Sequence, residues 1–78
     1  MKFIQYRLKA KSTSLMTRAA VDYCNKELDE QGKGVFFEDE PAHHQTEAEN
    51  DAYRHLLACD HHIQDDIQID ITEGDLND

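Results

Sequence analysis

Apolar and polar residues alternate at the start of the chain. Ile4, Tyr6, Leu8 and Ala10 are separated by Gln5, Arg7 and Lys9. A period of two puts one set of side chains on a core and the other in water, so residues 2–10 are predicted to form a half-buried strand. Phe3 falls on the polar side of that pattern.

The period then lengthens. Leu15, Ala19 and Tyr23 make one row at spacing four, and Met16, Ala20, Cys24 and Leu28 make a second. Together they predict a helix over 12–31 with a broad apolar stripe. Arg18, Asp22, Asn25, Lys26 and Asp29 are expected on its solvent side. Ser12, Thr13 and Ser14 offer oxygens for the first free N–H groups, and Gly32 and Gly34 can end the helix and turn the chain.

Residues 35–38, Val-Phe-Phe-Glu, read as a short strand closed by Pro41. A second helix is expected over 46–60, opened by a capping box of Thr46 and Glu49 and burying Ala48, Ala52, Leu56 and Cys59. Ile67, Ile69 and Ile71 alternate with Gln68, Asp70 and Thr72 as a third strand. The order is β-α-β-α-β. It predicts a small two-layer α/β sandwich of the α+β kind, a three-stranded sheet with two helices on one face. Residues 1–72 form the single compact domain, and 73–78 form an acidic, frayed tail. One sheet face stays open, which is uncommon for parallel strands. Either two strands run antiparallel, or the open face meets another chain. Parity with Glu38 and with Gln5, Arg7 and Lys9 places Phe36 and Phe3 on that open face.

Charge changes the picture most. Residues 1–34 carry seven basic side chains and four acidic ones, a net +3. Residues 35–78 carry thirteen carboxylates and one base, Arg54, a net −12 within a total of −9. Such a field bears on partners rather than on fold. It opposes direct binding of nucleic acid or anionic lipid. No apolar run of membrane-spanning length occurs, and the first seven residues lack the apolar stretch of a signal peptide. Two cysteines, Cys24 and Cys59, are too few for a disulfide framework, so the expected compartment is the cytoplasm with both thiols reduced.

No constellation identifies a reaction, and no cofactor is implied. Cys24 sits in an apolar helical row, where burial makes a thiol inert. His55 and Cys59 share a helix face at spacing four, with His61 and His62 following. A structural zinc site draws on two paired clusters, and only Cys24 could supply the second, so core packing and helix-end roles are the preferred reading. The carboxylates look solvated rather than set in apolar pockets that would tune them for acid–base work.

The acidic array remains. Its net −12 exceeds the magnitude of about 2–8 typical of a soluble small domain. The expectation is a non-enzymatic binding protein that presents a nucleic-acid-like surface to a basic site of a partner protein. Its carboxylates would stand in for phosphates. The expected contacts are Glu38, Asp39, Glu40, Glu47, Glu49, Asp51, Asp65, Asp66 and Asp70. By analogy of class alone, small acidic proteins of mobile elements inhibit nucleases, restriction systems and CRISPR complexes. The alternative is an antitoxin-like or regulatory homodimer that docks through Phe3 and Phe36.

Overall fold

The computed structural model describes residues 1–37 and 40–76. The opening alternation becomes β1 (Lys2–Ala10), with Ile4, Tyr6 and Leu8 buried. Helix α1 (Leu15–Gln31) follows. Ser14 caps it, its Oγ accepting the Thr17 N–H at 3.4 Å. At the other end Gly32 takes the left-handed region at φ 67°, and the Lys33 N–H donates to the Leu28 carbonyl at 2.9 Å. A side chain at Gly32 would strain that backbone, which is why glycine ends the helix.

The remaining elements are β2 (Val35–Phe37), α2 (Pro41–Leu57), α3 (His61–Gln64) and β3 (Ile67–Asp75). The sheet order is β2-β1-β3, and both pairings are antiparallel. Among the described residues no two neighbouring strands are parallel, and a sheet of this kind tolerates one wet face. Ile4 and Tyr6 pack with Leu28 of α1 and with Ala48 and Ala52 of α2. Leu8 packs with Val21, Ile63 and Ile67. Both long helices thus lie on one face of the sheet, giving the two-layer α+β architecture.

Five details differ from the sequence reading. The first is the rotation of α1. Its buried residues are Thr17, Val21 and Leu28, whereas Leu15 is 81 % exposed and Tyr23 64 %. The cause lies at the edge of β1. The described part of β2 is three residues long and pairs with Phe3–Gln5. Beyond it the backbone of Leu8 has no strand on that side, and Asn25 supplies the bonds. Its Nδ2 donates to the Leu8 carbonyl at 2.9 Å, and its Oδ1 accepts the Leu8 N–H at 3.2 Å. Buried backbone groups demand such partners. Asn25 therefore faces inward, and the Leu15–Ala19–Tyr23 row faces water.

Second, α2 begins at Pro41 rather than at residue 46. Proline suits the first helical position, where an N–H would lack a partner anyway, so Pro41 opens a helix instead of closing a strand. Thr46 then lies inside α2, where its hydroxyl donates to the Ala42 carbonyl at 3.5 Å, and the capping box is not used. Third, α2 stops at Leu57, and Asp60 starts the extra turn α3 by accepting the His62 N–H at 3.0 Å.

Fourth, Phe36 stands opposite Ile4 and packs on the helix side against the core, with its ring 6.3 Å from that of His44. Phe37, opposite Phe3, takes the open face. A run of three apolar residues carries no parity of its own, so only pairing with β1 decides it. Fifth, β3 continues through Glu73, Gly74 and Asp75, which pair with Ile4, Phe3 and Lys2. The sequence pattern places these residues in a frayed tail instead.

Candidate partner-binding surfaces

Helix α2 carries three of the expected contacts on two different flanks. Glu47 and Asp51, four residues apart, share one flank, and Glu49 projects from nearly the opposite side. Asp51 accepts a hydrogen bond from the Tyr6 hydroxyl at 2.7 Å. Burial, and then the Asp51 carboxylate, push Tyr6 well above the ordinary phenol range. Glu47 contacts both His43 (3.3 Å) and His44 (3.2 Å). A cleft of about 480 Å³ separates this flank from the α1–β2 turn, lined among others by Lys33, Phe36, Glu47, Asp51 and Arg54. It brings the single base of the acidic half next to two carboxylates.

Asp65 and Asp66 sit where α3 leads into β3. Asp66 accepts from the Ser12 hydroxyl, and that bond foremost holds its carboxyl below the usual range, with the Thr17 hydroxyl and Lys11 assisting. Its carbonyl accepts the Lys11 N–H at 2.7 Å, which ties β3 to the end of β1. The Lys11 ammonium donates to the Asp65 carbonyl at 3.3 Å, leaving the Asp65 carboxylate outward. Asp70 stands across from Arg7 in the sheet but accepts from Gln68 at 2.6 Å. Arg7 instead reaches Asp29 on α1.

The acidic residues are therefore spread along a molecule 39 Å long. Pro41, next to Glu40, lies with Glu73 and Asp75 around Lys2 and Phe3 at one end. Asp65 and Asp66 mark the other end of β3. Asp51 and Asp66 have internal structural roles. The carboxylates of Glu40, Glu49, Asp65 and Glu73 make no hydrogen bond or ion pair with any described residue. Glu38 and Asp39 lie outside the described residues. Sequence reasoning missed Glu73 and Asp75 as parts of the ordered surface. The length of β1 was the available signal, because a third strand ending at Thr72 would leave the first residues of β1 without a partner on that side.

The open sheet face carries Phe3 and Phe37 side by side, ring centroids 6.4 Å apart. The Phe3 ring also covers Gly74, where an added Cβ would come within 2.4 Å of it. Phe36, the other expected docking residue, is absent from this face. Helices α1 and α2 add exposed apolar side chains at Leu15, Met16, Tyr23, Tyr53 and Leu57.

The thiols come together between the helices, the Cys24 and Cys59 sulfurs lying 3.8 Å apart. Burial, then the neighbouring Cys59, push the Cys24 thiol up to about 11, which suits packing and not nucleophilic attack. His55 rests near the Tyr6 ring, with centroids 6.2 Å apart. Among the described residues no group of three or more His, Cys, Asp or Glu side chains is arranged to hold a metal ion. No described helix is long and apolar enough to cross a membrane. The chain matches no family model, no curated protein and no solved structure.

Proposed function

We propose that this chain is a small acidic, non-enzymatic binding protein that presents carboxylates to a basic site of a partner protein. The partner class is one that normally holds phosphates, such as a nuclease, restriction or CRISPR-type complex, and the consequence of docking is inhibition. One observation carries the reading. In a chain of net −9, the carboxylates of Glu40, Glu49, Asp65 and Glu73 form no ion pair with any described residue. Carboxylates in that state gain charge-assisted hydrogen bonds from Lys and Arg without first breaking internal ones. Their placement at both ends and on α2 favours an elongated basic groove over a point contact.

The test uses the combined variant Glu40→Gln, Glu49→Gln, Asp65→Asn and Glu73→Gln. Proteins retained by the wild-type chain from its native host are identified by mass spectrometry, then bound in purified form. A basic, nucleic-acid-binding partner should lose about tenfold or more in affinity to the variant, and should dissociate as salt rises through about 0.15 M. A partner that binds wild type and variant equally at both salt levels refutes the reading.

A second reading has an observation of its own. The Phe3–Phe37 pair on an uncovered sheet face suits a regulatory homodimer. Salt separates the two, because apolar docking survives ionic strength that screens exposed charges.

A further inference from the structure

We propose that the outer edge of β3 accepts an extended basic segment of a partner protein, which joins the sheet as a fourth strand. This inference rests on the basic-partner reading and specifies how such a partner is gripped. The backbone bonds fix which groups are free. The Tyr6 N–H donates to the Gly34 carbonyl at 2.9 Å, and the Leu8 N–H donates to Asn25 at 3.2 Å. Even-numbered residues of β1 thus turn their backbone groups toward the β2 side. Odd-numbered residues turn theirs toward β3, opposite Gln68, Asp70, Thr72 and Gly74. The bonds from Lys11 to Asp66 and from Leu76 to Met1 continue the same phase at both ends. In an antiparallel pair the bonding phase alternates. Ile69, Ile71 and Glu73 therefore aim their N–H and C=O groups away from the sheet, and among the described residues β3 has β1 as its only neighbouring strand.

An edge of this length normally carries protection. Proline, lysine and bulges are the common devices. β3 contains neither residue, and its pairing with β1 runs without interruption from Ile67 to Asp75. Its protection is negative charge, from Asp70 and Glu73, while Asp75 is paired with the N-terminal ammonium at 3.1 Å. A second copy would bring those carboxylates against their own kind. A segment bearing Lys or Arg would meet attraction in the same place, so the edge selects against self-pairing and for a basic strand.

The two faces define the segment further. On the helix side an added strand would lie beside Ile69 and Ile71, both half-buried, and at its far end beside Glu73, which shares their parity. On the open side it would lie beside Gln68, Asp70 and Thr72. The occupant therefore alternates apolar residues with Lys or Arg over about five to seven residues, with a further base at the end that meets Glu73.

The experiment uses the full chain and two blocked heptapeptides. One alternates lysine and valine, and the other replaces the central valine by proline, which keeps the charge and breaks the strand. Calorimetry at about 20 mM salt measures affinity, and amide exchange by NMR measures protection. The alternating peptide should bind at least tenfold more tightly, and should protect the Ile69, Ile71 and Glu73 amides. The double variant Asp70→Lys and Glu73→Lys should lose that tenfold while keeping its circular dichroism. If it does not fold, Asp70→Asn with Glu73→Gln should show a smaller loss in the same direction. Equal binding of the two peptides overturns strand addition and leaves the acidic-docking reading standing, because charge alone then accounts for affinity. Binding by neither peptide also overturns strand addition. Protection of the same amides in a dimer without peptide would assign the edge to a second copy and overturn the proposal.

Discussion

The side-chain amide of Asn25 is bonded through both its oxygen and its nitrogen to the backbone of one residue, Leu8. A helix side chain thereby continues a ladder that β2 is too short to complete. Replacing Asn25 by Ala would leave the Leu8 N–H and carbonyl without partners on that side. The expected cost is about 2–4 kcal/mol, since each unsatisfied group loses roughly 1–3 kcal/mol. Urea unfolding checks it. Loss within about 0.5 kcal/mol would mean that water replaces the amide without penalty.

Phe36 and Phe37 are adjacent and chemically identical, but they face opposite sides of the sheet. Phe36→Ala should destabilise the fold by about 2 kcal/mol, less than a fully buried ring would because Phe36 is half-buried. Phe37→Ser should cost less than about 1 kcal/mol and should weaken any self-association that involves Phe3. Thermal unfolding and light scattering on the two variants separate these outcomes. Equal destabilisation would contradict the register of Ile4 with Phe36.

Alkaline pH should weaken the fold through two groups. Tyr6 and Cys24 both hold their protons more tightly when folded than when unfolded. Their contribution is therefore complete below about pH 9, the ordinary thiol value, and is lost as pH rises. For Cys24 the loss runs from about 9 to about 11 and amounts to roughly 1 kcal/mol after solvent screening. Tyr6 adds a steeper decline above about pH 10. Melting temperatures for wild type, Tyr6→Phe and Cys24→Ala across pH 8–11 provide the check. Each variant should show a flatter curve than wild type. A wild-type curve that is already flat would remove the basis of both assignments.

The chain should not bind duplex DNA at physiological salt. Its net charge is −9, and the basic residues of β1 include Arg7, which is held by Asp29. A gel-shift titration is the measurement. Micromolar binding would reverse the choice of a protein partner.

Within its own residues the sequence determined the types of the two long helices and three strands, the single apolar face of β1, the burial of Ala48, Ala52 and Ile67, and the two-layer arrangement. Those follow from period alone, since a side chain in a regular element points where the backbone sends it. The sorted charge was equally legible, and with it the expectation of a basic partner. Tertiary structure decided what period leaves open. The face buried by α1 depended on an edge of β1 that β2 leaves bare. The outward choice between Phe36 and Phe37 depended on pairing across the sheet, because three apolar residues in a row fit either phase. The order of residues 73–75 depended on the matching length of β1. The acidic residues were divided between structural bonds and open surface by what happened to lie beside them: Tyr6 for Asp51, Ser12 for Asp66, and no ion-pair partner among the described residues for Glu49. Long-range neighbours of this kind are set by packing, and a local pattern along the chain does not encode them.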